Sequence, residues 1–247
     1  MVITVIGELC EDIFIYGETK RLSPEAPVPV FNPIHTETNR GMVGNIKQNL
    51  LSLNSKLRIN LFHQKTEIKK TRYVDDKSNH MFLRVDEGEE NIDSFNLNIS
   101  KTNAIKNSDV VIVSDYNKGF LDEETLIQIG KNSKLSIIDT KKKLTKEIIN
   151  SFTFVKLNEH EYNTNEQIVN SNKEKFIITL GMKGAIHNDI EYPSPSPKQT
   201  VDVSGAGDTF TASFILKYKE TNNVSESIIF ANIMSSIVVS KRGVTTP

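Results

Sequence analysis

The decapeptide VDVSGAGDTF, residues 201–210, places small residues at 204–207 and a single carboxylate, Asp208, just ahead of a strongly apolar helical pattern. Gly205 and Gly207 allow a tight turn, and a helix starting there aims several unpaired N–H groups and its positive dipole end at one point. Such a point binds an anion. The same residues also suit an ordinary glycine turn with Asp208 as a first-turn acid, so the choice depends on what the rest of the chain brings near them.

Short β-branched runs recur along the sequence: VITVI (2–6), DVVIV (109–113), LSIID (135–139), FTFVKL (152–157) and KFIITL (175–180). Each reads as a strand buried on both faces of a parallel sheet. Helical patterns fall between them at 122–131, 143–150 and 159–170, so the order is βαβ and the fold class is α/β, a doubly wound, mostly parallel sheet flanked by helices. In such a sheet, ligands are held by the loops after the strands. Those loops carry Glu8 and Asp12, Asp115, Asp139, Asn158 with Glu161, and Gly181 with Gly184. Carboxylates around an anion-binding helix N-terminus make sense when magnesium accompanies a phosphate, which points to a nucleoside triphosphate. Neither GxxxxGK[ST] nor GxGxxG occurs, so the phosphate cradle falls to residues 204–208.

After Asp208, Phe210, Phe214 and Tyr218 recur at helical spacing, and Ile228, Ala231, Asn232 and Ser235 do so again before Lys241, Arg242 and Gly243, predicting two packed helices at the end of the sequence. Two segments break the α/β rhythm: PEAPVPVF (24–31), suited to an edge strand, and TRYVDDKSNHMFLRVD (71–86), two strands around a polar turn. They read either as a small projecting β lid over the strand ends or as surface hairpins. The expectation is one domain over 1–247, with lid segments at about 12–40 and 66–86.

Composition restricts the remaining classes. The chain has 247 residues, 37% hydrophobic and 25% charged, with a net charge of -1. Lysines cluster at 69–70 and 141–143 without interleaved aromatic residues, which argues for solvated faces rather than a nucleic-acid surface. The lone Cys10 forms no intrachain disulfide and fits a reducing cytoplasm. Five histidines without ligand spacing argue against a structural zinc site. The N-terminal apolar run is far shorter than the ~20 residues of a membrane span.

VDVSGAGDTF resembles the C-terminal signature of the ribokinase-like (PfkB) sugar kinases, NEHE (158–161) their NxxE motif, TLGMKG (179–184) their nucleotide-side glycine loop, and FANIMSSIVVSKRGVTT (230–246) their last nucleotide-binding segment. Within the family, RLSPEAPVPVF (21–31), SDYNKG (114–119) and LRVD (83–86) are most similar to the D-glycero-β-D-manno-heptose-7-phosphate kinases. The resemblance implies an ATP-dependent kinase acting on the anomeric hydroxyl of that sugar phosphate. It makes Asp208 the general base and the N–H groups of Gly205, Ala206, Gly207 and Asp208 an anion hole. It gives Asp12, Asn45, Glu8, Asp115 and Lys118 to the sugar, with Lys118 or Arg84 meeting its distal phosphate. Thr179, Gly181, Gly184 and Asn232 fall to the nucleotide, Asn158 and Glu161 to magnesium, and Asp202 and Ser204 to a monovalent cation such as potassium.

Three departures accompany these matches. Glu8 stands where the family has aspartate, Met42 where it has the second of two glycines, and the stretch between Asn54 and Thr66 is shorter than the family pattern by what reads as a helix and a strand. Two alternatives follow: a kinase for another sugar, or a catalytically weak nucleotide-binding or scaffold protein that keeps the fold. The exposed lid edge predicts a homodimer.

Overall fold

A computed structural model of the protein describes residues 1–195 and 203–247. The N-terminal apolar run forms β1 (Val2–Gly7), followed by the long antiparallel strands β2 (Leu9–Leu22) and β3 (Pro29–Met42). Helix α1 (Val43–Leu53) and strand β4 (Arg58–Phe62) come next, then the hairpin of β5 (Lys69–Asp75) and β6 (Met81–Glu87). The chain then alternates through α2 (Ile99–Asn107), β7 (Val110–Asp115), α3 (Glu123–Lys131), β8 (Ser136–Thr140), α4 (Lys146–Ser151), β9 (Phe154–Asn158), α5 (Glu159–Asn170) and β10 (Phe176–Thr179). A short hairpin, β11 (Ala185–His187) and β12 (Ile190–Tyr192), precedes the helices α6 (Ala206–Thr221) and α7 (Val224–Val238).

Among the described residues the strands form two sheets. The larger has the order β12-β11-β10-β9-β8-β7-β1-β4, parallel from β10 to β4 and antiparallel in the terminal hairpin. Strand β7 shows why helices cover both faces. All of its residues are buried; Val110 and Ile112 pack with α1, α6 and α7, whereas Val111 and Val113 pack with α2 to α5. Alternate residues of a strand point to opposite faces, so a run that is apolar throughout requires cover on each. Each such side chain contributes roughly 1.5–3 kcal/mol. This is the expected doubly wound architecture.

The helix starts follow capping chemistry. Asp122 accepts the Thr125 N–H at 2.7 Å, and Asn223 accepts that of Glu226 at 3.1 Å, beginning α3 and α7.

The smaller sheet, order β3-β2-β5-β6, forms the lid. Pro29 and Pro33 fall in β3, an edge strand, where a missing N–H breaks no ladder on the open side. Most of this sheet comes from β2 and β3, residues 9–42. In β2 the side chains of Cys10, Asp12, Phe14 and Tyr16 are buried and their neighbours half-exposed, so polar residues occupy part of the alternating inner face and weaken its apolar signal. The shortened stretch between Asn54 and Thr66 still holds a strand, β4, paired parallel to β1 at the edge of the large sheet.

Candidate active site

The N-terminus of α6 stands between two cavities. Gly205, with φ 78, takes the left-handed backbone that glycine tolerates and forms the N-cap; the Thr209 N–H closes on its carbonyl at 3.0 Å. The N–H groups of the first turn lack intrahelical acceptors. Gly205 and Asp208 face a cavity of about 340 Å³ under the lid, with Asp12, Arg84 and Lys118 on its wall. Ala206 and Gly207 face a second cavity of about 620 Å³, with Asn158, Thr179 and Gly181 opposite.

Asp208 is only 7% exposed. Burial is the main force on its carboxyl, opposed by a hydrogen bond from Asn45 and reinforced by Asp139, and the net effect lifts its pKa to about 7. Asn45 Nδ2 donates to Asp208 Oδ2 at 3.0 Å and lies 3.3 Å from the Gly205 carbonyl oxygen. Asn45 is itself held by Asn49, whose Nδ2 donates to Asn45 Oδ1 at 2.9 Å, while Thr209 Oγ1 donates to Asn49 Oδ1 at 2.8 Å. This buried ladder ties α1 to α6 and fixes the carboxylate. A carboxyl poised near neutrality is matched to taking a hydroxyl proton.

Behind the α6 N-terminus lies Lys156, whose Nζ donates to Asp139 Oδ2 at 2.7 Å. Burial disfavours its charge, yet Asp139, Glu161 and Asp208 together hold the ammonium above its ordinary pKa. A Cβ on Gly207 would come within 3.3 Å of Nζ, so the cation lies directly against the helix end. Asn158 and Glu161 form the capping box of α5: Glu161 N–H donates to Asn158 Oδ1 at 2.9 Å and Asn158 N–H to Glu161 Oε2 at 2.8 Å. Burial, then Asp139, raises the Glu161 carboxyl, an environment that a cation would relieve. Among the described residues no three His, Cys, Asp or Glu side chains group as a metal site. Magnesium at Asn158 and Glu161 therefore fits only as an ion sharing its ligands with nucleotide phosphates and water.

The pfkB family carbohydrate kinase pattern matches residues 40–247. The chain belongs to that family. Over 290 aligned positions it is 28% identical to the bifunctional protein HldE of Haemophilus influenzae, covering 99% of this chain and 61% of the relative. The HldE of Helicobacter pylori strain J99 is 31% identical over 296 positions, covering 98% and 63%. The chain thus spans about three fifths of the length of these relatives. Both alignments exceed its 247 residues, so the aligned parts of the relatives carry segments without a counterpart here. In fold it is similar to the ribokinase of Thermotoga maritima, with a TM-score of 0.72 at 19% identity over 98% of this chain and 94% of the other. The Arabidopsis thaliana ribokinase complexed with ribose and ATP gives 0.70 at 16% identity, covering 98% and 93%. Among the described residues no helix is long and apolar enough to cross a membrane.

As a pfkB carbohydrate kinase, the chain brings most of the expected residues to the two cavities, with six exceptions: Asn45 is fully buried against Asp208, Glu161 lines a neighbouring cavity with Asn158, and Glu8, Asp115, Gly184 and Asn232 are engaged elsewhere. Glu8 does not reach the cavity under the lid: it is fully buried, accepting the N–H groups of Tyr116 and Lys118. Asp115 is likewise withdrawn, accepting from Thr140 Oγ1 at 2.6 Å and the Asn117 N–H at 3.0 Å. Gly184 and Asn232 do not line the cavity beside Thr179 and Gly181; Asn232 holds Tyr192, and Gly184 lies close against the Tyr192 carbonyl. Asn232 Nδ2 donates to the Tyr192 carbonyl at 2.9 Å, and a Cβ on Gly184 would come within 2.1 Å of the same oxygen. Ser204 lies on the wall of the cavity under the lid, whereas Asp202 lies outside the described residues. Lys118 pairs with Glu89, and Asp12 with Arg72 Nη1 at 2.5 Å.

Sequence reading missed Lys156, Tyr116, Lys70 and Arg72. Lys156 had a signal, a charge within an otherwise apolar strand run two residues before Asn158. Lys70 and Arg72 follow the period of two that turns alternate residues of β5 toward the cavity.

Met42, between lid and α1, has φ 55 and ψ -130, backbone that strongly favours glycine, while its side chain packs on Cys10 and Ile68. Strain of this kind costs on the order of 1–3 kcal/mol. Met42→Gly is expected to exceed Met42→Ala in stability by about that amount in denaturant unfolding. Both variants lose the packing and only alanine keeps the strain; alanine as the more stable of the two would show that the site stores none.

Proposed function

We propose that the protein is an ATP- and magnesium-dependent kinase that phosphorylates the anomeric hydroxyl of D-glycero-β-D-manno-heptose 7-phosphate, giving the 1,7-bisphosphate. The observation that carries phosphoryl transfer is the α6 N-terminus, with Asp208 at its first turn, set between a cavity under the lid and a second cavity beside Thr179 and Gly181. Asp208 takes the proton from the attacking hydroxyl as its oxygen bonds to the γ-phosphorus and the bond from that phosphorus to the β,γ-bridging oxygen breaks, with ADP as the leaving group. The N–H groups of Gly205, Gly207 and Asp208 and the Lys156 ammonium stabilise the charge on the transferring group, whereas the Ala206 N–H is given to the Val203 carbonyl at 3.3 Å. Asn158 and Glu161 would hold magnesium on the nucleotide phosphates, where the ion supplies charge neutralisation. Ser204, with Asp202, belongs to the loop suited to potassium.

A phosphorylated sugar is supported by the lid. Arg72 and Arg84 lie directly opposite each other on β5 and β6, both on the cavity wall, with Lys70 one step along. Arg72 is paired with Asp12 and Arg84 with Asp86 at 2.6 Å, so a distal phosphate there would take the guanidinium donors that these carboxylates leave over. The heptose is favoured by the SPEAPVPV string and by the HldE relatives. A homodimer is supported by the lid's outward face, where Leu83 is 55% exposed beside Ile15 and Tyr73; sedimentation would measure it.

The test is ADP release with heptose 7-phosphate, fructose 6-phosphate and unphosphorylated sugars. Heptose 7-phosphate is expected to turn over fastest. Arg84→Ala is expected to raise KM for it roughly 10–100-fold, the value of one or two charge-assisted hydrogen bonds, with KM for ATP unchanged. Faster turnover of another sugar would reassign the substrate, and ATP binding without turnover of any sugar would leave a nucleotide-binding protein.

A further inference from the structure

Glu8 sits at the end of β1, fully buried, and its two oxygens bind one loop: Oε2 accepts the Tyr116 N–H at 2.9 Å and Oε1 the Lys118 N–H at 3.0 Å. An aspartate there would fall short by about one carbon–carbon bond, roughly 1.5 Å. The loop so held brings the Tyr116 hydroxyl to 3.4 Å from Asp208 Oδ1. That is the oxygen Asn45 leaves open, since Asn45 donates to Oδ2. The Tyr116 ring is flanked by two ammonium groups, Lys141 at 5.1 Å and Lys70 at 6.0 Å from its centroid. Burial, then the neighbouring Asp208, pushes the phenol well above its ordinary pKa, so the hydroxyl keeps its proton and serves as a donor.

We infer that Glu8 and Tyr116 are positioning residues for Asp208: Glu8 holds the 116–118 loop so that the Tyr116 hydroxyl steadies Oδ1, turning the carboxylate toward the substrate and favouring its ionised form. The inference rests on Asp208 being the base. It also accounts for glutamate at position 8, since the added methylene is what spans to the loop. The other groups facing Asp208 are Asn45 from α1, Lys156 from β9, Asp139 from β8, and Asp12 and Cys10 from β2, with Lys70, Arg72 and Lys141 on the same cavity wall. None of them is altered when Tyr116 loses its hydroxyl.

A hydrogen bond donated to a carboxylate favours the charged form, so removing it raises the pKa. The experiment titrates the Asp208 carboxyl by carbon NMR in protein labelled at aspartate Cγ, the signal being assigned by its loss in Asp208→Asn. Tyr116→Phe is expected to move the midpoint up by roughly 0.5 unit or more. Glu8→Asp and Glu8→Gln are expected to move it in the same direction, and Glu8→Gln combined with Tyr116→Phe no further than either alone. The acid limb of kcat/KM, measured with ATP and heptose 7-phosphate, shifts in parallel. An unmoved Asp208 midpoint in Tyr116→Phe, or shifts that add fully in the double variant, overturns the inference whether or not this sugar turns over. Undiminished turnover in Asp208→Asn would instead remove the base itself. Because Tyr116→Phe keeps the ring and the loop backbone, it stays informative should the Glu8 variants unfold.

Discussion

Asp208→Asn is expected to lower kcat roughly 10²–10⁴-fold, the usual contribution of a general base, and at the same time to stabilise the protein above neutral pH. The folded carboxyl titrates near 7 against an ordinary 3.8. Well below pH 3.8 it is protonated whether the chain is folded or not, and ionisation contributes nothing to the difference. As the pH rises toward 7 the unfolded chain releases this proton and the folded one retains it, so stability is lost through that window and the full cost is reached above it. With about 1.4 kcal/mol per unit, the shift corresponds to at most about 4 kcal/mol. Asparagine cannot ionise and keeps an oxygen for Asn45. Unfolding free energies measured at pH 5 and pH 8 should therefore diverge between variant and wild type, with the variant ahead at pH 8. A gap that does not change with pH would mean that Asp208 is not held near neutrality, and retained turnover would mean that it is not the base. A site that stabilises its protein when disabled is one kept for its chemistry.

The two halves of the site differed in how legible they were. The GAGD turn, the acids after the strands and the doubly wound sheet could be read because each depends on local pattern: glycine where φ is positive, β-branched runs where both faces are covered, a capping residue where a helix begins. Asp208 stands where its motif placed it. Residues that act across long sequence distances were hidden. Glu8 looked like a sugar ligand from its position after β1, yet it is satisfied by a loop more than a hundred residues later. Asn232 and Gly184 lie in segments resembling nucleotide contacts, but Asn232 holds the Tyr192 carbonyl and Gly184 lies close against it. Lid strand β2 was obscured because Asp12 interrupts its apolar side, and what makes that acid acceptable there is Arg72, some sixty residues on. Pairings of this kind are set by topology, which no local spacing reports.

Lys156→Met tests the other side of the helix end. The change removes the ammonium lying against Gly207 and leaves Asp139 without its partner. Breaking a buried ion pair from one side costs about 3–5 kcal/mol; with the Asp139 side chain 18% exposed, the lower end of that range is expected. If the ammonium also stabilises the transferring phosphoryl group, kcat should fall roughly 10²–10³-fold, as when a donor to developing charge is lost, while KM for the sugar changes little. Lys156 also lowers the Asp208 pKa, so the acid limb of the rate profile should move to higher pH. The two roles separate in the double variant Asp139→Asn/Lys156→Met. Removing both charges abolishes the uncompensated carboxylate and should recover most of the lost stability, because an absent pair is far less harmful than half of one. It cannot return a cation to the helix end. Stability restored with kcat still low assigns Lys156 to catalysis, whereas recovery of both together would reduce it to a counterion for Asp139.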